Sequence, residues 1–575
     1  MKKFFVGIVV TVLLAAGIWY YLKPQPVGTV PADLLPKDTL LLIEFVDLEK
    51  SIDDFKKGKL GQKLKGIDLT KVMLELEVDK DIIEEYKKVE TSVLSAIDSM
   101  LFKELFGKEA VIAVLPAKID DFKLNDLKKA IGSIVLISRP KHNADFTEFI
   151  TRYLAKGTEC RVEEYAGYKI KNFRLNNGFS IYYLLTDGLL IASPDSLPIK
   201  NCILSKSNQK ESLKKNKNYQ DLRHKLVSKS IRSFVYNNIE KTYDYILNIA
   251  QFIGGDKENL AAIEHLSASF KGLKTMGYAS SDNRSDLLHD KMLIMFDKTK
   301  MELAYAKPYG FKPSENKTIH MVPKKTICYY WTNTMDFEFL FSIFSEKILH
   351  GGKTGEPDAA EFEKKFGCSL DEIFQALGNQ FGFILTDIDV DGLFPVPKLT
   401  IFFEVKKQEV LTKFFESAIQ KTKIGFEEEK FEDVEINNIA LPAFIGIQPS
   451  YAFYNDFCMV SINRKMIKDI ITVSNNGEGL ISNDDFQKVN KGLTAKNNNI
   501  AFIKFDDLID EIKELWKWGF SMTASKNQDI GVKCKIITDG VIYPFLDGLK
   551  MYKTIGTRSI IKENEIESEF YFNLI

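Results

Sequence analysis

Charge of one sign is what this chain most plainly lacks. Its 78 basic and 79 acidic side chains leave a formal net charge of −1 over 575 residues. The basic excess that holds a protein on a phosphate backbone is absent, so no nucleic-acid partner is expected. Cysteine is scarce: Cys160, Cys202, Cys328, Cys368, Cys458 and Cys534 are the whole set. None stands in a C-x-x-C pair or near a histidine at zinc-site spacing, which removes structural zinc and thioredoxin-type chemistry. Six cysteines in a chain this long are too few for a disulfide scaffold and read as small buried hydrophobes. Histidine is as rare. His142, His224, His265, His289, His320 and His350 form no i, i+4 pair and no H-E-x-x-H, so no local pattern supports a metal centre or a metal cofactor.

What remains is 45% apolar and 27% charged, an ordinary globular composition. A single core stops growing near ~250–300 residues, so this length calls for two or more domains.

One long apolar run is present. Phe4 to Leu22, FFVGIVVTVLLAAGIWYYL, carries no charge. At ~1.5 Å per residue it spans roughly 28 Å, close to the hydrocarbon thickness of a bilayer. Lys2 and Lys3 precede it and Trp19, Tyr20 and Tyr21 close it. Positive charge stays cytoplasmic and aromatics favour the interface. The expectation is a single-pass anchor over residues 1–23, N-terminus cytoplasmic, with the body periplasmic or otherwise extracytoplasmic. Ala15-Ala16-Gly17 offers the small residues of a cleaved signal peptide; that alternative exports the body equally.

The rest of the chain repeats itself weakly. Pro36-Lys37-Asp38-Thr39 opens an apolar strand, and so does Pro323-Lys324-Lys325-Thr326. Phe106-Gly107 leads into AVIAVL, and Leu377-Gly378 into a strand through FGFIL. EEYAGYKIKNF at 163–173 is matched by EKFEDVEINNI at 429–439, Asn218-Tyr219-Gln220 by Asp485-Phe486-Gln487, and Lys274–Gly277 by Lys553–Gly556. Five matches in one order point to a tandem duplication. It divides the body into copy one at 32–300, a linker at 301–320 that is Pro- and Gly-bearing from Ala304 to Thr318, and copy two at 321–575. The linker is expected to be exposed.

Period-2 stretches at Ile134–Ser138, Gly167–Leu175, Ile181–Leu185 and Leu189–Ala192 alternate with helical periodicity at Ala144–Leu154, Ile239–Phe252, Val410–Ile419 and Leu508–Trp516. A tight turn at Thr186-Asp187-Gly188, and a matching one at Asn455-Asp456, make the joined strands antiparallel. The fold class is therefore α+β: two tandem homologous domains, each a mainly antiparallel sheet packed with amphipathic helices. The L-P-x-D-T opening at Leu35–Thr39, the F-G-x-E strand start at Phe106–Glu109 and the anchor together resemble a broad family of bacterial exported proteins known only as a domain of unknown function. The resemblance implies a bacterial envelope location and supplies no activity or site.

Candidate chemistry dissolves on inspection. Ser212-Leu213-Lys214-Lys215, Ser281-Asp282-Asn283 and Lys353-Thr354-Gly355 spell the motif series of penicillin-recognising serine hydrolases. Ser212 sits in the Lys-rich NQKESLKKNKN, which should be solvated, and Lys353 follows two glycines in a polar loop. Gly352-Lys353-Thr354 lacks the upstream glycine of a phosphate loop. Asp387, Asp389 and Asp391 begin a calcium loop whose twelfth position is Lys398 where a glutamate is needed. They read as an acidic hairpin turn. No catalytic, cofactor-binding or metal residue is assigned. The expected function is a non-enzymatic interaction or assembly scaffold with an envelope protein as partner. The alternative is a carrier of lipid or another hydrophobic ligand, drawing on 42 phenylalanines. A continuous apolar pocket of ~300 Å³ or more in each copy would favour the carrier.

Overall fold

The computed structural model describes residues 29–116, 133–141, 160–174, 180–227, 231–245, 270–281, 286–341, 359–390, 394–422, 425–441 and 447–575. The expected anchor at 1–23, Asp282, Asn283, Lys353–Gly355, Asp391 and the helical stretch Ala144–Leu154 lie outside them. Among the described residues, no helix is long and apolar enough to cross a membrane.

The fold is α+β, with antiparallel sheet and helices interleaved along the chain. The chain packs as two compact units. The first holds the described residues up to Lys56, with Asp81–Asp282 and Met292–Lys300; the second holds Lys57–Lys80, Asn283–Lys291 and Met301–Ile575.

In the first unit the strands are β1 (Leu41–Val46), β2 (Glu109–Val114), β3 (Ile134–Arg139), β4 (Cys160–Tyr165), β5 (Tyr168–Arg174), β6 (Ser180–Thr186), β7 (Leu189–Ser193), β8 (Ile231–Asn237) and β9 (Leu273–Ser281). Antiparallel pairing sets them side by side as 4-5-6-7-3-2-1-8-9. β10 (Leu287–Phe296) runs from a stretch counted with the second unit into one counted with the first, where it lies beside β9. The hairpin β6–β7 turns through Asp187 and Gly188, both left-handed (φ 51° and 72°), which suits a tight hairpin. Alternation buries Leu42, Val111, Ala113, Val135, Ile137, Phe234 and Tyr236 against Tyr219 and Leu222 of the helix Lys217–Leu226.

The second unit carries β11 (Cys328–Thr332), β12 (Leu377–Asp389), β13 (Val396–Val405), β14 (Phe426–Phe431), β15 (Val434–Ile439), β16 (Ser450–Tyr454), β17 (Phe457–Ser461), β18 (Asn499–Lys504), β19 (Tyr552–Ile561) and β20 (Glu565–Leu574). Their antiparallel order is 14-15-16-17-13-12-11-18-19-20. The first nine repeat the order of the first unit position for position. Registers agree as well. Leu41 faces Val114 on β2 and Asn237 on β8, and Cys328 faces Leu385 on β12 and Ile503 on β18. Tyr165 opposes Tyr168 as Phe431 opposes Val434.

In the expected linker Leu303, Lys307, Lys312 and Lys317 are exposed, whereas Asn316 and Thr318 are buried and both hydrogen-bond the Tyr329 hydroxyl (2.7 and 2.8 Å). Those bonds satisfy polar groups that the apolar surroundings would otherwise strand. Each compact unit draws on stretches that are not contiguous in sequence. The helices Lys59–Lys65 and Leu69–Glu75 belong to the second unit, where Leu60 lies against Gly548 and Val72 against Gly540. An amphipathic helix carries no local mark of which core it will cover.

Candidate functional site

The first unit contains an open cavity of about 460 Å³ between β1, the segment Val30–Ala32 and the helix Lys217–Leu226. That helix starts at Asn216, whose side chain accepts from the Tyr219 amide (3.2 Å), and buries Tyr219, Leu222 and Leu226. Its last turn carries Arg223 and Lys225, cations placed where the helix dipole favours them, with His224 between them.

Glu44 is the unusual member. It sits mid-strand in LLIEFV, on the inward face with Leu42, and its side chain is 8% exposed. A carboxylate so buried requires a partner. Arg223 supplies it with a two-pronged pair, Nη1 to Oε2 at 2.5 Å and Nη2 to Oε1 at 2.9 Å. The guanidinium also lies 5.2 Å from the Phe234 ring centroid, and Nη1 reaches the Tyr219 hydroxyl at 3.5 Å. Burial pushes the Tyr219 phenol up to about 12. Hydrogen bonding to Glu44 raises Arg223 against the cost of its burial, which keeps it cationic throughout the working range. Glu109, on the cavity wall, is held by Arg139 Nε at 3.0 Å, and Lys214 at the mouth by Asp33 at 2.9 Å. His224 and Gln220 complete the polar rim, and Val30, Pro31, Ala32, Leu42 and Val227 line the rest.

At the corresponding register position of the second unit stands Trp331. Glu44 lies between Val111 and Phe234, and Trp331 between Gly382 and Ile500. The indole is fully buried and donates to Gln380 Oε1 (3.0 Å). The matching helix Asp484–Val489 stops before the turn that would bear an arginine. A cleft of about 490 Å³ in the second unit lies elsewhere, under the helix Gln408–Thr422, and is rimmed by Glu416, Glu428, Asp433 and Glu435 over Tyr451 and Phe453. Both clefts exceed the volume set for a carrier. Only the first has a largely apolar wall.

The residues singled out from sequence are not brought together. Ser212 is buried, not solvated as expected: it precedes a short 3₁₀ turn whose Leu213 amide donates to Leu35 O (2.7 Å), which carries it under the Pro36 turn. Lys215 is exposed and donates to Asn208 Oδ1 at 3.1 Å. Ser281 is the end residue of β9. Asp387 pairs with Lys398, the residue at the twelfth position of the calcium-like stretch, within the β12–β13 hairpin. Among the described residues no cluster of His, Cys, Asp or Glu could hold a metal ion. All six cysteines are free, Cys202, Cys368 and Cys458 buried. Sequence reasoning passed over Glu44 and Arg223. The signal was available, a lone charge at an inward position of an apolar strand, but its partner lies 179 residues away.

No family model matches this chain, and no curated protein or solved structure is significantly similar to it.

Proposed function

We propose that the chain is a non-enzymatic binding protein of the bacterial envelope, tethered by its N-terminal apolar segment and built by duplication of one α+β unit. The observation that carries this reading is a shared frame with unshared concavities. Both units run in one strand order, and small fittings recur. Lys200 pairs with Glu163 over the Tyr165 ring, and Lys468 pairs with Glu429 over Phe431, at 5.5 and 5.4 Å from the ring centroids. Yet the first unit opens a cavity at Glu44 and the second closes that place with Trp331. A common frame with a hollow open in one unit and filled in the other suits recognition by one unit on a shared scaffold. The resemblance to exported bacterial proteins and the Lys2–Lys3 charge agree with an extracytoplasmic body.

Native mass spectrometry of the full chain released from membranes tests the reading. A stoichiometric bound species is the expected result. Covalent labelling of Ser212 by a β-lactam probe would overturn it in favour of a hydrolase. A reporter active only outside the cytoplasm, fused after Pro26, tests the orientation and should be active. The carrier reading draws on one feature, the apolar wall of the first unit's cavity, while the cleft described in the second unit lacks such a wall.

A further inference from the structure

We infer that the cavity beside Arg223 binds an amphiphilic oxyanion, a carboxylate or phosphate ester on a short apolar chain. This goes beyond the scaffold reading and stands whether or not the outer faces of the units also dock a protein.

Arginine has five N–H donors in a fixed fork. Three are engaged here: one Nη1–H and one Nη2–H on Glu44, and the second Nη1–H on the Tyr219 hydroxyl. The Nε–H and the remaining Nη2–H meet no protein acceptor among the described residues. These two lie along one edge of the guanidinium, the geometry that receives both oxygens of a carboxylate or phosphate. Glu44 and the Phe234 ring hold that plane in place from two directions, so the fork is ordered before a ligand arrives. Arg223 is partly exposed (35%) and lines the cavity. The charges around the cavity are paired, Glu44 and Glu109 each with an arginine and Lys214 with Asp33, so among the described residues no uncompensated acid opposes an anion at the free edge of Arg223.

The head group alone does not account for the space. Val30, Pro31, Ala32, Leu42 and Val227 give the cavity an apolar side, and about 460 Å³ is within the range of small-molecule sites. An oxyanion with an apolar chain meets both halves: the fork takes the oxygens and the chain displaces water from the aliphatic wall. The second unit offers a built-in contrast, because Trp331 fills the equivalent place and its helix lacks the arginine turn.

The test uses the full chain in phosphatidylcholine nanodiscs, titrated by calorimetry with octanoate, octan-1-ol and acetate, and followed by hydrogen exchange in β1 and the helix Lys217–Leu226. Octanoate should bind saturably and protect both segments, with octan-1-ol and acetate at least tenfold weaker. Arg223→Lys keeps a cation beside Glu44 but loses the fork, and should weaken octanoate at least tenfold. Val227→Trp, which fills the apolar side of the cavity and leaves Arg223 and Glu44 in place, should abolish octanoate binding in a chain whose β1 amides remain protected from exchange. Discs containing phosphatidylglycerol separate the two sources of such a head group. Protection there without free octanoate assigns a bilayer lipid, and protection by octanoate in phosphatidylcholine discs assigns a free acid. Equal binding of octan-1-ol and octanoate, full affinity in Arg223→Lys or Val227→Trp, or no protection by either source would overturn the inference.

Discussion

Glu44 and Trp331 occupy one register position in two sets of strands of the same order, and the two units solve it in opposite ways. In one, a buried carboxylate is held by Arg223 from a helix; in the other, an indole fills the space and hydrogen-bonds Gln380. Breaking a buried pair leaves an uncompensated charge, whereas replacing both members by apolar groups can be neutral. Glu44→Gln should therefore destabilise the first unit by ~2–4 kcal/mol, the partial exposure of Arg223 moderating the loss. Glu44→Leu with Arg223→Leu should restore most of it. Hydrogen exchange of β1 and β8 amides under rising urea measures both. A double variant no more stable than Glu44→Gln would show that the pair is not the source of the loss.

Thr39 and Thr326 give a matched experiment on the two units. Each hydroxyl donates to the carbonyl of the proline three residues earlier, Pro36 at 2.6 Å and Pro323 at 2.7 Å. Both threonines are fully buried at the entrance of a central strand. Replacing either by valine leaves a buried carbonyl short of one donor, at ~1–2 kcal/mol. We expect equal costs within error, read as the change in urea midpoint of exchange in β1 and in β11. Costs that differ severalfold would argue that the two turns are not equivalent.

Gly277 and Gly556 mark where a helix presses closest on each sheet. A Cβ at Gly277 would stand 2.6 Å from Leu226 Cδ1, and one at Gly556 2.9 Å from Val489 Cβ. The first neighbour is the tip of a leucine and can turn aside; the second is the root of a β-branched side chain and cannot. Alanine at either place overpacks the core at ~1–3 kcal/mol, with Gly556→Ala the costlier. Thermal melting of the two single variants ranks them. A harmless Gly556→Ala would mean the helix Asp484–Val489 shifts freely.

Much of this architecture was legible because the signals were local. Asp187-Gly188 and Asn455-Asp456 carry the positive φ of tight hairpins, and both turns form. The periodicity at Val410–Ile419 lies inside the helix Gln408–Thr422, and Leu508–Trp516 inside Phe505–Lys526. What escaped was long-range. The helices at Lys59–Lys65 and Leu69–Glu75 join the second core through Leu60 and Val72, a choice made by shape against Gly548 and Gly540, not by their own pattern. Asn316 and Thr318 looked like loop residues because their partner, the Tyr329 hydroxyl, lies on the following strand. The candidate cavity was invisible for the same reason: its walls come from Val30, Leu42 and Arg223, far apart in sequence.

Acid should weaken the second unit, and Glu569 is one carboxylate through which it acts. Glu569 on β20 accepts Arg558 Nε at 2.7 Å and the Tyr571 hydroxyl at 3.0 Å, and its other oxygen lies 3.3 Å from His289 Nε2. The His289 ring stacks on Tyr571 with centroids 4.6 Å apart, which fixes it beside the carboxylate. The His289 contact above all, then Arg558 and Tyr571, outweighs burial and holds the Glu569 carboxyl at about 2, below its ordinary 4.5. A folded-state value below the unfolded one means the unfolded chain binds the proton more readily. The stabilisation is thus complete above about pH 4.5 and is lost as pH falls toward about 2. Melting temperature measured across that window should fall with acid in the parent chain, and the fall should be shallower in Glu569→Gln, which carries no titrating proton there. Arg558→Gln should shift the onset upward, because the carboxylate then protonates sooner. Identical acid profiles for the parent and Glu569→Gln would assign the acid sensitivity to other carboxylates.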